Sequence, residues 1–233
     1  MARVVQIGVG HWGRNHKRIL EDMDVLVATV DINGQEDYKR ITDVKEKYDH
    51  VVICTPPDTH FKLVTQLIDK HIFVEKPLTL DSLQTAKLLL KTSKKLQVGM
   101  IERYNPIVQK IKKQGNKNLT FVREGPKQEH IKESIVWDTT IHDIDLAFWF
   151  FDEMPLKVVG SYTDTYCEML LEFSAGEARI ISAWDRPKHR SINGISTITT
   201  DNILKNELLD FINGYNVSWE QFEVARAIEE IHK

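Results

Sequence analysis

A lysine at the end of an apolar run is the first residue in this sequence that could do chemistry. The run from Lys70 to Val74 is typical of a β-strand, and Glu75, Lys76 and Pro77 follow it directly. Proline has no backbone N–H to donate to a sheet and keeps the preceding residue extended, so the strand is predicted to end here. Open α/β sheets bind ligands at the carboxyl ends of their strands. Taken alone, Lys76 is either a positioned functional amine or a surface lysine beside a turn.

A glycine-rich turn near the N-terminus predicts dinucleotide binding. Gly8, Gly10 and Gly13 have the spacing GxGxxG, between a β-rich run at 3–7 and a helical pattern at 14–23. The first glycine would allow the tight turn, the second would let the backbone approach a pyrophosphate, and the third would let the helix pack against the strand. The N-terminus of that helix would face the phosphates. A purely structural glycine turn is the alternative.

The residue that closes the second predicted strand, Asp31, indicates which dinucleotide is bound. It lies 18 residues after Gly13, where a carboxylate can bind both ribose hydroxyls. It would also repel a 2′-phosphate, and Ile32 and Asn33 supply no arginine to hold one. The predicted cofactor is therefore NAD rather than NADP.

Three aromatic side chains near these motifs are weaker candidates for cofactor contact. His11 and Trp12 lie inside the glycine turn, and His60 follows the two consecutive prolines at 56–57. Each would either line the cofactor or pack locally.

A second chemical pattern occurs on a helix predicted over residues 136–151. Asp138 and His142 are four residues apart and Asp145 is three further on, so an α-helix would place them on one face. A carboxylate one turn before a histidine can fix its tautomer and stabilise the imidazolium, as a general base requires. Two alternatives remain open. The acidic residues can simply favour the helix N-terminus, or His142 and a carboxylate can bind a metal, although no other His or Cys cluster completes a ligand set.

The order of predicted elements indicates an α/β protein with two domains. Strand and helix patterns alternate through residues 1–118, which predicts a Rossmann domain with a doubly wound parallel sheet. Long strands at 157–162, 166–173, 177–185 and 189–199 predict that residues 119–200 form a smaller α+β domain with a mostly antiparallel open sheet. Residues 201–233 are predicted to form two helices, broken at 214–216, that pack back on the body.

Composition excludes several classes of function. The chain has 233 residues, of which 42% are hydrophobic and 28% charged, as in ordinary globular proteins. A net charge of −3 gives no basic footprint for nucleic acid or for a membrane surface. Cys54 and Cys167 do not have the spacing of a disulfide scaffold or a thiolate metal site. No apolar stretch approaches the roughly 18 residues of a membrane span and no signal peptide is recognised, so a cytoplasmic location without nucleic-acid, membrane or metal partners is expected.

Together these motifs resemble the Gfo/Idh/MocA family, the glucose–fructose oxidoreductase and inositol dehydrogenase group. The resemblance covers residues 8–146, and its segments occur in family order. They are GVGHWGRNH at 8–16, CTPPDTH at 54–60, EKPL at 75–78, GMIERYNP at 99–106 and DTTIHDIDL at 138–146. The Glu-Lys-Pro segment followed by the Asp-xxx-His helix is specific to that family.

The resemblance implies reversible hydride transfer between NAD and a carbinol or carbonyl carbon of a sugar, a sugar derivative or a polyol. It implies a catalytic group of Lys76, Asp138 and His142, with Lys76 between nicotinamide and substrate and a Lys–Pro bond that is often cis. Whether Lys76 or His142 accepts the proton is open. The cofactor contacts it implies, besides those above, come from Cys54, Thr55, Pro56, Pro57, Glu75 and Lys76. The substrate contacts it implies come from Lys76, Arg103, Tyr104, Asn105 and His142.

Members of this family are usually considerably longer, so the chain is identified as a short member with a reduced second domain. In the family that domain carries substrate and subunit contacts, and a homodimer or homotetramer is expected here. The glycine turn with Trp12 inside it looks most like members that act on sugar nucleotides. A non-catalytic NAD-binding sensor on the same fold is the alternative, although a sensor has no need of all three of Lys76, Asp138 and His142.

Overall fold

The computed structural model describes residues 2–34, 36–92, 96–214 and 220–231. The chain divides into two compact units. One comprises Met1–Gly99 with Leu204–Trp219, and the other comprises Met100–Ile203 with Glu220–Lys233. The boundary therefore lies at Met100 rather than at residue 119. The C-terminal residues are shared between the two units, which differs from the separate segment predicted for 201–233.

A parallel sheet forms the centre of the first unit. Its strands are β1 (Val4–Ile7), β2 (Leu26–Val30), β3 (His50–Ile53), β4 (His71–Glu75) and β5 (Leu96–Gly99). They lie in the order β2-β1-β3-β4-β5, and each neighbouring pair is parallel. All residues of β1, β3 and β5 are buried, as expected of parallel strands covered on both faces. The predicted parallel sheet is confirmed.

The helices of this unit follow its strands. They are α1 (Gly13–Asp22), α2 (Pro57–Gln66) and α3 (Ser82–Thr92). Helix α2 begins at Pro57, because proline suits a first helical position that needs no N–H. The Thr59 hydroxyl in its first turn donates to the Pro56 carbonyl, at 2.7 Å.

A six-stranded mixed sheet forms the second unit. Its strands are β6 (Asn118–Gly125), β7 (Lys157–Tyr162), β8 (Tyr166–Phe173), β9 (Gly176–Trp184), β10 (His189–Ile192) and β11 (Ile195–Ser196). The order is β11-β10-β6-β9-β8-β7. Among the described strand pairs of this second sheet, only β6 and β9 are parallel, so the mostly antiparallel sheet is confirmed. The single strand predicted at 189–199 is two strands, because Asn193 and Gly194 both have positive φ and make a hairpin turn.

The helices of the second unit include the one that carries the Asp-xxx-His pattern. They are α4 (Pro106–Lys112) and α5 (Ile141–Phe151), and a π-helical turn at Val136–Thr140 leads into α5. The helix predicted at 136–151 is therefore only partly α-helical. Helix α7 (Glu220–Glu229) also lies in this unit, whereas α6 (Ile203–Ile212) lies, from Leu204 on, in the first unit. The predicted break at 214–216 falls mostly on Tyr215 and Asn216, which lie outside the described residues. Among the described residues, none of the helices combines the length and apolarity that a membrane crossing requires.

A buried ion cluster joins the elements of the second unit. Arg123 on β6, only 6% exposed, donates to both carboxylate oxygens of Asp143 on α5, at 3.0 and 2.7 Å, and to Glu102 at 2.8 Å. Glu102 also accepts a hydrogen bond from Arg190 on β10, at 2.9 Å. A buried charge is tolerated only when it is paired and hydrogen-bonded. This requirement fixes α5 against the sheet.

Candidate functional site

The glycine turn is held by close contacts between backbones. Gly8 has a φ of +90°, and a Cβ added there would lie 2.6 Å from the Cys54 carbonyl oxygen. A Cβ added at Gly13 would lie 2.3 Å from the Gly8 carbonyl oxygen, so α1 can approach the turn only with glycine at this position. A Cβ added at Gly10 would meet nothing within 4 Å. Gly8 and Gly13 therefore serve packing, whereas Gly10 faces open space, and the approach of a pyrophosphate to its backbone stays a prediction.

Gln6 lies outside the GxGxxG motif and supports the turn from the preceding strand, β1. Its side chain on β1 is fully buried, and its amide nitrogen donates to the carbonyls of Gly8 and Gly13, at 2.9 and 2.7 Å. The only signal in the sequence is a polar residue within an otherwise apolar strand. Gln6 fixes the two ends of the turn to each other.

Asp31 lies at the carboxyl end of β2 and is oriented by two backbone N–H groups. One of its oxygens accepts from Val9 in the turn, and the other accepts from Asn33, both at 2.9 Å. An ionised carboxylate has about four lone-pair positions, so it retains acceptors for hydroxyl groups. Asp31 thus lies beside the turn, and its contact to the ribose stays a prediction.

Glu75 connects the glycine turn to the lysine that follows β4. One of its carboxylate oxygens accepts from the indole N–H of Trp12, at 2.7 Å, and lies 2.9 Å from Nε2 of the fully buried His16. Its other oxygen accepts from the backbone N–H of Lys76, at 3.2 Å. The structure thus gives Glu75, predicted as a cofactor contact, the role of tying the start of α1 to the end of β4.

The pKa values around Glu75 indicate a buried ion pair. Burial lowers the pKa of His16, but Cys54 and Glu75 outweigh that effect and hold it well above the usual value. Burial raises the pKa of Glu75, but the hydrogen bond and charge of His16, with Trp12 and Lys76, bring it below the usual value. Burial raises the pKa of the Cys54 thiol, so near pH 7 the thiol carries no charge and Glu75, 2.9 Å from Nε2, is the group that stabilises the protonated His16. Glu75 is therefore the negative partner of a protonated His16.

His60 has a different place from the predicted one. It is fully buried, and its two ring nitrogens lie 2.8 Å from the carbonyl oxygens of Pro77 and Thr55. Burial lowers the pKa of His60, so the neutral ring donates to one of these two carbonyls. Both ring nitrogens contact backbone carbonyl oxygens, so His60 holds together the loops that follow β3 and β4. The Lys76–Pro77 bond in the second loop is cis, as the resemblance implied.

The first unit brings its predicted cofactor residues to one edge of the sheet. Because β1 to β4 are parallel, the segments that follow their carboxyl ends meet at the same edge. These segments contain the glycine turn with His11 and Trp12, then Asp31, then 54–57, then Glu75 and Lys76. Lys76 is half-buried there. The gathering of these residues is what a nucleotide site on this sheet requires.

Asp138 and His142 are the titratable residues of their segment that remain partly accessible. Both are half-buried, whereas Asp143 and Asp145 are buried and paired with arginines. Asp138 accepts a hydrogen bond from the Thr139 hydroxyl, at 3.1 Å. It lies within the π-helical turn, a feature frequent at functional sites. Asp145 is paired with Arg103, so it is not available to bind a metal ion together with His142. The described residues contain no group of three or more potential ligands placed to hold a metal ion.

Two of the predicted substrate contacts are committed to the fold. Arg103 forms a two-pronged ion pair with Asp145, with both distances 2.7 Å, and it also donates to Glu220 at 2.7 Å. Asn105, which is 1% exposed, caps α4 and donates to the Thr197 carbonyl at 2.8 Å. Arg103 and Asn105 therefore hold the second unit together. Tyr104 is half-buried and keeps its predicted role as a candidate.

Comparison with known sequences identifies the N-terminal part of the chain. Residues 2–104 match the family described as an oxidoreductase family with an NAD-binding Rossmann fold. The match covers less than half of the chain and agrees with the resemblance to the Gfo/Idh/MocA family. The predicted resemblance and the predicted cofactor, NAD, are thereby confirmed.

Curated relatives of this chain include proteins named as inositol dehydrogenases. An inositol 2-dehydrogenase from Rhizobium meliloti is 32% identical over 147 residues, which are 56% of this chain and 43% of that protein. A scyllo-inositol 2-dehydrogenase (NAD(+)) from Bacillus subtilis is 28% identical over 172 residues, which are 66% of this chain and 44% of that protein. The chain thus spans less than half the length of these relatives.

Solved structures extend the fold comparison to the second unit. A UDP-N-acetylglucosamine 3-dehydrogenase from Acidithiobacillus ferrooxidans superposes with a TM-score of 0.87 at 20% identity, over 98% of this chain and 96% of that chain. The WlbA dehydrogenase from Thermus thermophilus, in complex with NAD and UDP-GlcNAcA, gives 0.80 at 19% identity, over 97% and 93%. These likenesses confirm the predicted fold class, a Rossmann sheet followed by a mostly antiparallel sheet.

Substitutions at Gly13 and at Gly10 should separate the role of the turn in folding from its role in cofactor binding. Gly13→Ala should lower the free energy of unfolding by about 1–3 kcal/mol without ligand, because its Cβ would clash with the Gly8 carbonyl. Gly10→Ala should change that free energy by no more than about 0.5 kcal/mol but weaken NAD binding by roughly tenfold or more, about 1.4 kcal/mol. Urea denaturation and calorimetric titration with NAD measure the two effects. Unchanged NAD affinity in Gly10→Ala would refute the assignment of Gly10 to the pyrophosphate.

The His16–Glu75 pair should make the effect of Glu75→Gln depend on pH. The raised pKa of His16 gives stability that is fully present below the unfolded value, about 6.5, and is lost as pH rises through the folded value. The lowered pKa of Glu75 gives stability that is present above about 4.5 and is lost as pH falls through its folded value. The loss of unfolding free energy in Glu75→Gln should therefore be larger at about pH 6 than at about pH 9.

The exposed Glu21→Gln on α1 is the matched control for that measurement and should show little loss at either pH. Urea denaturation at each pH gives the free energies. A loss in Glu75→Gln that does not change between the two pH values would show that His16 is not charged in the folded protein.

Proposed function

We propose that this chain is an NAD(H)-dependent oxidoreductase that transfers hydride between nicotinamide and a carbinol or carbonyl carbon of a sugar, a sugar derivative or a polyol. The observation that carries the proposal is that the proposed catalytic side chains stay partly exposed in both the Glu-Lys-Pro segment and the Asp-xxx-His segment. The first unit keeps Lys76 partly exposed at the sheet edge that holds the glycine turn and Asp31. The second unit keeps Asp138 and His142 partly exposed while burying the neighbouring aspartates.

The residues present fit NAD as the cofactor. Gly10 leaves open space beside the turn, and Asp31 is fixed at the turn with acceptors for ribose hydroxyls. The carboxylate of Asp31 would repel the 2′-phosphate of NADP, so NAD is the preferred form. Bound NAD supplies the hydride acceptor, and the protein supplies binding, orientation and proton transfer.

The proton chemistry falls to three side chains. Oxidation of an alcohol requires a base to remove the hydroxyl proton while hydride leaves the same carbon. In this proposal His142 accepts that proton and Asp138 stabilises the imidazolium that forms. Lys76 donates a hydrogen bond to the substrate oxygen or relays the proton.

The substrate class is proposed from chemistry and from relatives. Inositol dehydrogenases act on polyols by name, and solved neighbours carry sugar nucleotides in their names. A small carbohydrate or polyol, including the sugar part of a nucleotide, is therefore the proposed substrate. A homodimer or homotetramer is also proposed, since Val159 on β7 and Leu156 just before it are 49% and 76% exposed and such apolar surface favours a subunit contact.

Removal of the proposed catalytic groups should abolish turnover without abolishing cofactor binding. Lys76→Ala and His142→Ala should each lower the rate of NADH formation by about two to four orders of magnitude, while NAD still binds. Absorbance of NADH measures the first, in the presence of inositols, sugars and sugar nucleotides. Calorimetric titration measures the second.

The exposed residues Lys91 and His130 provide matched controls, and their alanine variants should keep wild-type turnover. Wild-type turnover in Lys76→Ala or His142→Ala would contradict the catalytic assignment. NAD binding by the wild type with no turnover of any substrate would favour the sensor alternative instead.

A further inference from the structure

Arg190 on β10 lies on the same face of the sheet as the helix that carries Asp138 and His142. Arg190 is the register partner of Arg123 on β6, and directly paired residues of neighbouring strands point to the same face. Arg123 uses that face to bind Asp143 of α5. Arg190 therefore points toward the α5 side at the β10 end of the sheet. Asp138 is close enough for its charge to raise the pKa of Arg190.

One edge of the Arg190 guanidinium is anchored. Its Nη1 donates to Glu102 at 2.9 Å, and Glu102 is a buried side chain with 4% exposure. Within the described part of the chain, this is the only hydrogen bond that the guanidinium makes. A guanidinium has five N–H donors in a fixed fork, and the Arg190 side chain is 39% exposed. An oriented donor array thus remains open to a ligand.

The buried carboxylates near Arg190 are also bound by Arg123. The Glu102 oxygen that it contacts also accepts from Arg123, at 2.8 Å, and Asp143 gives both of its oxygens to Arg123. Burial and repulsion from Arg123 lower the pKa of Arg190, and the carboxylates of Glu102, Asp143 and Asp138 offset this only in part. The buried neighbours are fully used, so a further negative group would be stabilised at the open edge of this guanidinium.

We propose that Arg190 binds an acidic group, a carboxylate or a phosphate, on the substrate, and that the preferred substrates are anionic sugar derivatives. The fork geometry of arginine matches both of these oxyanions with two parallel hydrogen bonds. The inference rests on the proposed function and narrows its substrate class. It makes Arg190 a specificity-determining residue, distinct from Arg103, whose fork is already filled by Asp145.

A comparison of acidic and neutral substrates tests this proposal. The kcat/KM is measured with NAD and a neutral inositol, a uronic acid and a sugar phosphate, for wild type, Arg190→Gln and Arg190→Lys. Wild type should prefer one of the acidic substrates, and the choice between uronic acid and sugar phosphate identifies the oxyanion. Arg190→Gln should lower kcat/KM for that substrate by about 10- to 100-fold, mainly through KM, as for loss of a hydrogen bond to a charged group.

The two remaining comparisons separate recognition from structure. Arg190→Gln should keep kcat/KM for the neutral inositol within about threefold of wild type. Arg190→Lys should fall between wild type and Arg190→Gln for the acidic substrate, because lysine keeps the charge and lacks the fork. Arg179→Gln is the matched control, since Arg179 is an exposed arginine on β9 that pairs with Glu168 at 2.9 Å; it should leave every value unchanged.

Equal losses on acidic and neutral substrates would overturn the proposal and leave Arg190 a structural residue, and so would a wild type that prefers the neutral inositol. If Arg190→Gln does not fold, the same comparison is made with Arg190→Lys. That variant must then lose more kcat/KM on the acidic substrate than on the neutral inositol. If wild type oxidises none of the substrates, the proposed function fails, and thermal shifts with NAD plus each acidic compound decide the Arg190 question. A shift in wild type that Arg190→Gln loses upholds the oxyanion site, and no shift in wild type overturns it.

Discussion

The buried positive charge of Arg123 constrains the whole second unit. It must be surrounded by carboxylates, and the structure supplies Asp143 from α5 and Glu102 from the segment before α4. Removal of one partner from such a cluster typically costs about 3–5 kcal/mol, because the other charge is left buried and uncompensated. The elements that carry these residues are therefore fixed relative to the sheet. Because Asp143 and Asp145 are paired with arginines, Asp138 and His142 are the titratable residues of this segment that stay partly exposed.

A buried carboxylate has a comparable role in the first unit. Glu75 receives Trp12 from the glycine turn, His16 from α1 and the backbone N–H of Lys76. These contacts connect the glycine turn and the proposed catalytic lysine to the same side chain. The Glu of the Glu-Lys-Pro segment is thus explained by positioning, while the lysine beside it is half-buried.

Much of the fold could be predicted from the sequence, because its signals are local. Runs of valine and isoleucine predict the buried parallel strands, and the GxGxxG spacing predicts both the turn and the packing of α1. The roles of Arg103 and Asn105 could not be predicted, because their partners Asp145 and Thr197 lie 42 and 92 residues away. The parallel pairing of β6 with β9 likewise depends on contacts between distant segments, whereas Gln6 acts on residues only two and seven positions away that the motif does not link to it. Arg190 belongs to the same group, since a single arginine on a short strand carries no motif.

The most direct test of the central claim follows the hydrogen itself. A polyol or sugar deuterated at its carbinol carbons is incubated with the protein and NAD, and the reduced cofactor is analysed by mass spectrometry and NMR. Hydride transfer predicts one deuterium per molecule of reduced cofactor, located at C4 of the nicotinamide, with the matching carbonyl product. Bound NAD that acquires no deuterium from any substrate in the panel would contradict an oxidoreductase and leave a binding protein on the same fold.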